Sequence, residues 1–208
     1  SGSKGNCALI EGPQGLIMVD DGLSRRETLK RMAELGLSAD NVSALFVTHE
    51  HSDHIKGLDV WCKHWRGPLF ASRNTLASKE SLAHVPVEEF DPGDVLEIAG
   101  VRIQTYSTSH DVINPVGYRF DALGDSIGFA TDTGELSSHA IDTLKDCRVL
   151  ALESNNDVAM LRQGDYPRFL QERILSAKGH LSNDQAANAA RELVTVRTEQ
   201  LIAMHISQ

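Results

Sequence analysis

Cysteine is scarce in this chain of 208 residues: Cys7, Cys62 and Cys147 stand far apart, with no C-x-x-C pair. A set so sparse and odd excludes a disulfide framework and reads as reduced thiols. Aromatic residues are only 5% of the total, which leaves few platforms for stacking bases; Trp61, Trp65 and Tyr166 are the ones to inspect. Long apolar runs are absent too. The longest, such as Ala44-Leu45-Phe46-Val47, have strand length, which excludes a transmembrane helix and a membrane partner. Positive charge is in deficit, with 20 Lys and Arg against 29 Asp and Glu for a net charge of −9. No overall basic surface is on offer, so any nucleic-acid binding must come from a local patch or from bound metal. No low-complexity tract, charge block or proline-rich linker divides the chain, and its length suits one sizeable core, so residues 1–208 read as one domain. A secretory segment and an arginine-rich leader are both missing, which makes the cytoplasm the expected compartment. The opening on Ser1-Gly2-Ser3 without methionine, and the stop soon after an apolar run, read as trimming at both ends.

What is present is the balance of a soluble globular protein, 41% hydrophobic and 24% charged. Cys7–Ile10 and Leu16–Val19 read as strands joined by a turn at Glu11-Gly12-Pro13-Gln14-Gly15. Ser24 caps an expected helix from Arg25 to Leu35, closed by Gly36. Ala44–Thr48 and Pro68–Ser72 are expected strands, and Leu58–Trp65 and Asn74–Leu82 expected helices. Four strands follow, Val95–Ile98, Val101–Tyr106, Val116–Phe120 and Ile127–Thr131, with tight-turn material at Ala99-Gly100 and Leu123-Gly124-Asp125. Helix Leu136–Leu144, strand Arg148–Leu152, two or three helices and strand Leu201–Met204 complete the chain. A strand-rich middle with helices on either side points to two sheets with helices outside; a doubly wound parallel sheet fits the meander poorly.

Nine histidines are present, and three crowd into Thr48-His49-Glu50-His51-Ser52-Asp53-His54. The run follows a strand, whose end would hold it rigid. His49, His51 and Asp53 alternate and would project to one side of an extended segment, with His54 turning in at the start of a helix. Imidazole and carboxylate suit zinc, manganese or iron. A solvated polar loop rarely concentrates such ligands. His64, His84 and His139 have no comparable context and read as surface or ordinary hydrogen-bonding residues.

This H-x-H-x-D-H run resembles that of the metallo-β-lactamase fold superfamily. The resemblance implies an α/β fold, an αββα sandwich with a metal site at one edge of its two sheets. His110 in Ser107-Thr108-Ser109-His110-Asp111, Asp132 in Ala130-Thr131-Asp132-Thr133-Gly134, and His205 after Leu201–Met204 fill the remaining positions in order. Carried over, His49, His51 and His110 would hold one metal, Asp53, His54 and His205 a second, with Asp132 bridging. The implied cofactors are two divalent ions, zinc or manganese, with iron also suitable. Two such cations acidify a shared water and clamp the oxygens of a displacement.

The branch is narrowed by the same resemblance. Asp132 in place of cysteine argues against the zinc β-lactamases themselves, and His51 in place of glutamate against the flavodiiron oxidoreductases. Gly179-His180-Leu181-Ser182-Asn183-Asp184-Gln185-Ala186-Ala187 is similar to an element of RNase Z and its relatives in which the histidine lies beside the scissile phosphate. Ala151-Leu152-Glu153-Ser154-Asn155 resembles that family's strand-end glutamate, which orients the histidine. Ser182 and Gln185 form a capping box, so a helix begins directly after His180, and its free N–H groups favour a phosphate oxygen. The 73 residues from Asp132 to His205 leave no room for a β-CASP insertion, and the 22 from His110 to Asp132 none for the tRNA-binding arm of RNase Z. Ser1-Gly2-Ser3-Lys4-Gly5-Asn6-Cys7, with the Glu153 and His180 elements, is similar to the small, armless YycJ/WalJ-type branch. That resemblance implies a metal-dependent phosphodiesterase, with 5′→3′ exonuclease activity on DNA.

In the implied mechanism Asp53 accepts the proton of the attacking water, and His180, oriented by Glu153, protonates the leaving oxygen. Ser3, Lys4, Asn6, Asn155 and Asn183 are candidates for holding the nucleic-acid backbone. Arg162, Arg168, Arg173 and Lys178 form a candidate basic patch, with a plain solvated face as the equal alternative. DNA is favoured over RNA as substrate. A small-molecule hydrolase acting on a lactone, thioester or cyclic nucleotide, an RNA nuclease, and a non-catalytic protein with a structural metal stay open beside it. Oligomeric state is not legible.

Overall fold

The structure, a computed structural model, describes residues 4–207; Ser3, a candidate backbone contact, lies outside them. Two apolar runs joined at Pro13-Gln14 form the antiparallel pair β1 (Ala8–Gly12) and β2 (Gly15–Val19). Beyond β2 the sheet continues in parallel through β3 (Val42–Val47), β4 (Leu69–Ser72) and β5 (Val87–Phe90), in the order β1-β2-β3-β4-β5. The connections carry α1 (Arg25–Glu34), α2 (Ser52–Ile55) and α3 (Leu58–His64). As expected, Ser24 caps α1 by accepting from Glu27 N.

A second sheet has the order β11-β10-β9-β8-β7-β6. Strands β6 (Val95–Ile98), β7 (Val101–Ser107), β8 (Val116–Ala122) and β9 (Asp125–Ala130) form an antiparallel meander. Strands β10 (Val149–Glu153) and β11 (Gln200–Met204) join it in parallel. The helices of this half are α4 (Ser138–Leu144), α5 (Val158–Gln163), α6 (Arg168–Ile174) and α7 (Asn183–Leu193). None of the described helices is long and apolar enough to cross a membrane.

Burial shows why the apolar runs read as near-continuous. Strands covered on both faces need apolar residues at successive positions. Ile17, Val19, Phe46 and Phe70 point between the sheets and meet Ile103, Tyr118, Phe120 and Phe129 of the second sheet. Met18, Leu45 and Val47 point the other way, onto Met32 of α1 and Leu58 and Trp61 of α3. On the far side, Ala130, Leu150 and Leu152 pack against Leu144 of α4 and Ala190 and Leu193 of α7. Two sheets face to face with helices outside make the expected αββα sandwich.

Three local expectations differ from the structure. Asn74–Leu82 is a run of turns ending in a single 3-10 turn at Glu80–Leu82 rather than a helix. Asn74 adopts φ +65°, and Thr75 bonds Ser72 Oγ and Ile113 O, side-chain contacts that compete with helix formation. Strand β5 was not anticipated, because Val-Glu-Glu-Phe presents two exposed acids in its middle. Asp53 lies in α2 and not in an extended segment, so the extended alternation ends at His51.

Candidate metal centre and active site

All the strands that deliver site residues end at one edge of the sandwich. Asp20 follows β2, His49 and His51 follow β3, His110 follows β7, Asp132 follows β9, Glu153 ends β10 and His205 follows β11. Asp20, Asp132 and His205 occupy the left-handed region at φ +59°, +52° and +51°. Each such residue costs of order 1 kcal/mol or more, and strain of this kind collects at functional sites.

Nitrogen donors converge there. His51 Nδ1 lies 3.1 Å from His49 Nε2 and 3.2 Å from His110 Nε2. A tetrahedral ion with Zn–N bonds of about 2.0–2.1 Å holds its nitrogens roughly 3.3 Å apart, so this trio has metal-ligand spacing. Asp132 is inserted between it and a second group: its Oδ2 is 3.3 Å from His54 Nε2, and its Oδ1 is 3.4 Å from His205 Nε2 and 3.9 Å from His110 Nε2. Asp53 Oδ2 lies 3.7 Å from His54 Nε2 and 3.9 Å from His205 Nε2. All seven residues proposed as ligands on the sequence are thus brought together.

The outward-facing nitrogens explain how the inner ones are aimed. Nδ1 of His49 meets Thr48 Oγ1 at 3.0 Å, Nδ1 of His54 meets Asp20 Oδ2 at 2.8 Å, Nδ1 of His110 meets Gly179 O at 3.1 Å, and Nδ1 of His205 meets Glu153 Oε1 at 2.8 Å. An acceptor at Nδ1 holds a proton there and leaves Nε2 as the inward-facing atom, the usual support for a metal-binding imidazole. Asp20 and Thr48 were missed on the sequence. Asp20 Oδ1 also accepts from Thr48 N at 2.8 Å, and Oδ2 from Thr48 Oγ1 at 2.8 Å. Their signal was Val19-Asp20-Asp21-Gly22, two acids directly after a buried strand.

Protonation supports the same fit. Burial, helped by the charge of His54, holds His49 well below the usual histidine range, and burial lowers His51 and His110 as well. For His54 and His205 burial also works downward, but carboxylates outweigh it. Asp20 and Asp132 hold His54 well above its ordinary value, and hydrogen bonds to Asp53 and Glu153 bring His205 up to about 10. Asp132 is held well below the carboxylate range because His54 and His205 outweigh its burial. Three neutral imidazoles beside two imidazolium–carboxylate clusters form a donor set whose protons a divalent cation would displace.

Beside this cluster lies His180, whose Nδ1 is 2.8 Å from Glu153 Oε1. Glu153 is fully buried and also accepts from the backbone N–H of Thr133 at 2.8 Å. The expected capping box of Ser182 and Gln185 opens α7 just after His180. His180 and the donor cluster face one cavity of about 370 Å³, whose other wall is α6 with Leu170, Arg173 and the preceding Tyr166.

The candidate backbone contacts fare differently. Asn6 is buried, and its amide nitrogen lies 3.1 Å from Asp53 Oδ2 and 2.9 Å from His54 Nε2, against two of the candidate ligands. Asn155 lines the cavity while donating to His205 O at 2.8 Å. Asn183 is exposed at the start of α7 and accepts from Ser154 Oγ at 2.8 Å. Lys4 is exposed and lies outside the cavity lining. In the basic patch Arg173 pairs with Asp111 at 2.6 Å and Arg168 with Glu172 at 3.2 Å, so half of its charge is compensated locally. His64, His84 and His139 are exposed, as expected.

A two-sheet sandwich with a His/Asp cluster at its strand ends defines a metal-binding hydrolase fold. The β-lactamase superfamily domain matches residues 16–206, and the chain belongs to that superfamily. Exodeoxyribonuclease YycJ of Bacillus anthracis is 35% identical over 211 residues, spanning 100% of this chain and 80% of that protein. Exodeoxyribonuclease WalJ of Streptococcus pneumoniae is 32% identical over 214 residues, again 100% of this chain and 80% of the relative. Among solved structures, PqqB from Methylobacterium extorquens, determined with Zn²⁺ bound, has a TM-score of 0.75 at 14% identity, covering 99% of this chain and 79% of its own. The imidazole and carboxylate groups clustered here are of the kind that suits a divalent metal.

Proposed function

We propose that the chain is a metal-dependent phosphodiesterase that degrades DNA from the 5′ end in the cytoplasm. The observation that carries this reading is the His180–Glu153 pair on the wall of the donor-cluster cavity. A thioester expels a thiolate that leaves without help, whereas the alkoxide expelled from a phosphodiester needs a proton. The two 32–35% identical relatives named as exodeoxyribonucleases support DNA as the substrate. Two divalent ions, zinc or manganese, would acidify a water and neutralise phosphate oxygens when held by His49, His51 and His110 and by Asp53, His54 and His205, with Asp132 between them.

The protein groups do the rest. Hydrogen bonding from His205 and the charge of His54 outweigh burial and hold Asp53 below the usual carboxylate value, so it is ionised at neutral pH and can accept the attacking water's proton. Glu153 pins His180 Nδ1, which leaves Nε2 toward the cavity to give a proton to the departing 3′ oxygen. Arg173 stands across the cavity, where a phosphate can compete with Asp111 for its guanidinium.

His180→Ala tests this assignment. With metal content unchanged, kcat on DNA is expected to fall about 10²–10⁴-fold, and a p-nitrophenyl phosphodiester, whose leaving group needs no proton, to be nearly spared. Equal loss on both substrates would remove the acid role.

A further inference from the structure

A second cavity, of about 500 Å³, opens beside the first, and the two share Asn155, Tyr166, Ile206 and Ser207 in their walls. Its volume is that of an ordinary ligand site. Chemically the two differ. The first presents His180, Arg173 and the donor cluster; its acids Asp53 and Asp132 are candidate metal ligands and Asp111 pairs with Arg173, so with cations bound it would receive anionic phosphate. The second has an apolar wall from Met160, Leu161, Tyr166 and Ile206, with acids at Asp157 and Asp165. That lining repels a phosphate and suits a neutral, flat group carrying N–H donors.

Tyr166 stands at the junction. It lies in the four-residue connection Gly164-Asp165-Tyr166-Pro167 between α5 and α6, which Gln171 Nε2 fixes by donating to Tyr166 O at 2.8 Å. Its side chain is 45% exposed, and Met160, also facing this cavity, is 74% exposed. In a chain with 5% aromatic residues, an exposed ring at the mouth of the site is a specific placement. Trp61 is in the core and Trp65 packs beside it, 6.4 Å away between ring centres. Tyr166 is therefore the one of the three singled-out aromatics that reaches this site.

Resting on the nuclease reading above, we infer that the second cavity receives the nucleobase of the terminal nucleotide, stacked on Tyr166, while its phosphodiester lies in the first cavity. Base stacking on an aromatic side chain is tolerant of sequence because every base has a π face. The enzyme would thus hold a terminal nucleotide by its base without reading which base it is. The requirement is an unpaired end, since a paired base cannot enter the cavity.

The experiment compares manganese-loaded wild-type, Tyr166→Ala and Tyr166→Phe proteins on single strands with a normal first nucleotide, an abasic first nucleotide or an abasic second nucleotide. Wild type is expected to lose about ten- to a hundredfold in kcat/KM on the abasic first nucleotide and little on the abasic second. Tyr166→Ala should lose as much on the normal strand, with no further loss on the abasic first nucleotide, and Tyr166→Phe should behave as wild type. A phosphorothioate-linked strand with 2-aminopurine first should be quenched on binding wild type and Tyr166→Phe but not Tyr166→Ala. If wild type and Tyr166→Ala show the same ratio between normal and abasic ends, the inference is overturned and the nuclease reading stands. If wild type cuts none of the strands, both fall.

Discussion

Glu153 organises the site at the scale of single residues. Its Oε1 lies 2.8 Å from Nδ1 of both His180 and His205, and its Oε2 accepts from Thr133 N and Leu181 N. A fully buried carboxylate is tolerated because every lone-pair direction meets a donor. Glu153→Gln turns one of those acceptors into a donor facing N–H groups. Both metal affinity and kcat are expected to fall about 10–100-fold, measured by metal titration and steady-state kinetics on one preparation; loss of kcat alone would mean that His205 does not depend on it. The ligand run was legible in the sequence because four donor side chains in six positions are rare in a loop. The supports behind it were less so. Asp20 and Asn6 look like ordinary turn residues, and only the fold reveals that one fixes His54 Nδ1 and the other reaches His54 Nε2.

At the scale of elements, the loop after β2 and the short helix α2 are pressed together. A Cβ on Gly22 would fall 1.5 Å from Asp53 O and 2.7 Å from Asn6 N. Gly22→Ala must push α2 away, at a cost of about 1–3 kcal/mol, and it displaces Asp53 and His54 as it does so. Thermal denaturation of the apo protein should show the lost stability, and metal titration a weakened second site; an unchanged metal affinity would mean that α2 is not held in place by this contact. Most elements could be read from the sequence because helix caps such as Ser24 and strand runs such as Leu16–Val19 are local signals. Asn74–Leu82 misled because Thr75 bonds Ser72 Oγ and Ile113 O and the Asn74 N–H donates to Glu89 Oε1; Ile113 and Glu89 are partners that only the tertiary fold supplies. The connection carrying Tyr166 gave no sign of facing the site, since α6 buries none of its residues.

For the whole molecule, the order of the candidate ligands along the chain was visible in the sequence because each, or the short helix α2 that carries Asp53 and His54, follows a strand, and parallel strand ends share one edge of a sandwich. What the order could not supply was the state of the donors. Carboxylates hold His54 well above the ordinary histidine value and bring His205 up to about 10, while His49, His51 and His110 are held below it. A cation entering at neutral pH must therefore expel protons from the first pair and few from the trio. Apparent metal affinity is expected to rise as pH goes from 6 toward 9, with net proton release seen as a buffer-dependent heat in calorimetry. Heat independent of the buffer would show that His54 and His205 are already neutral. With an overall charge of −9, the proposed DNA substrate would have to be held by local charge, that of bound metals and of Arg173. The most direct test is to strip the full chain of metal, reload it with manganese or zinc, and incubate it with end-labelled DNA and RNA, with Asp53→Ala alongside. Mononucleotides released from the 5′ end of DNA only with metal, and not by Asp53→Ala, are expected. Intact nucleic acids together with turnover of lactone or thioester substrates would contradict the assignment.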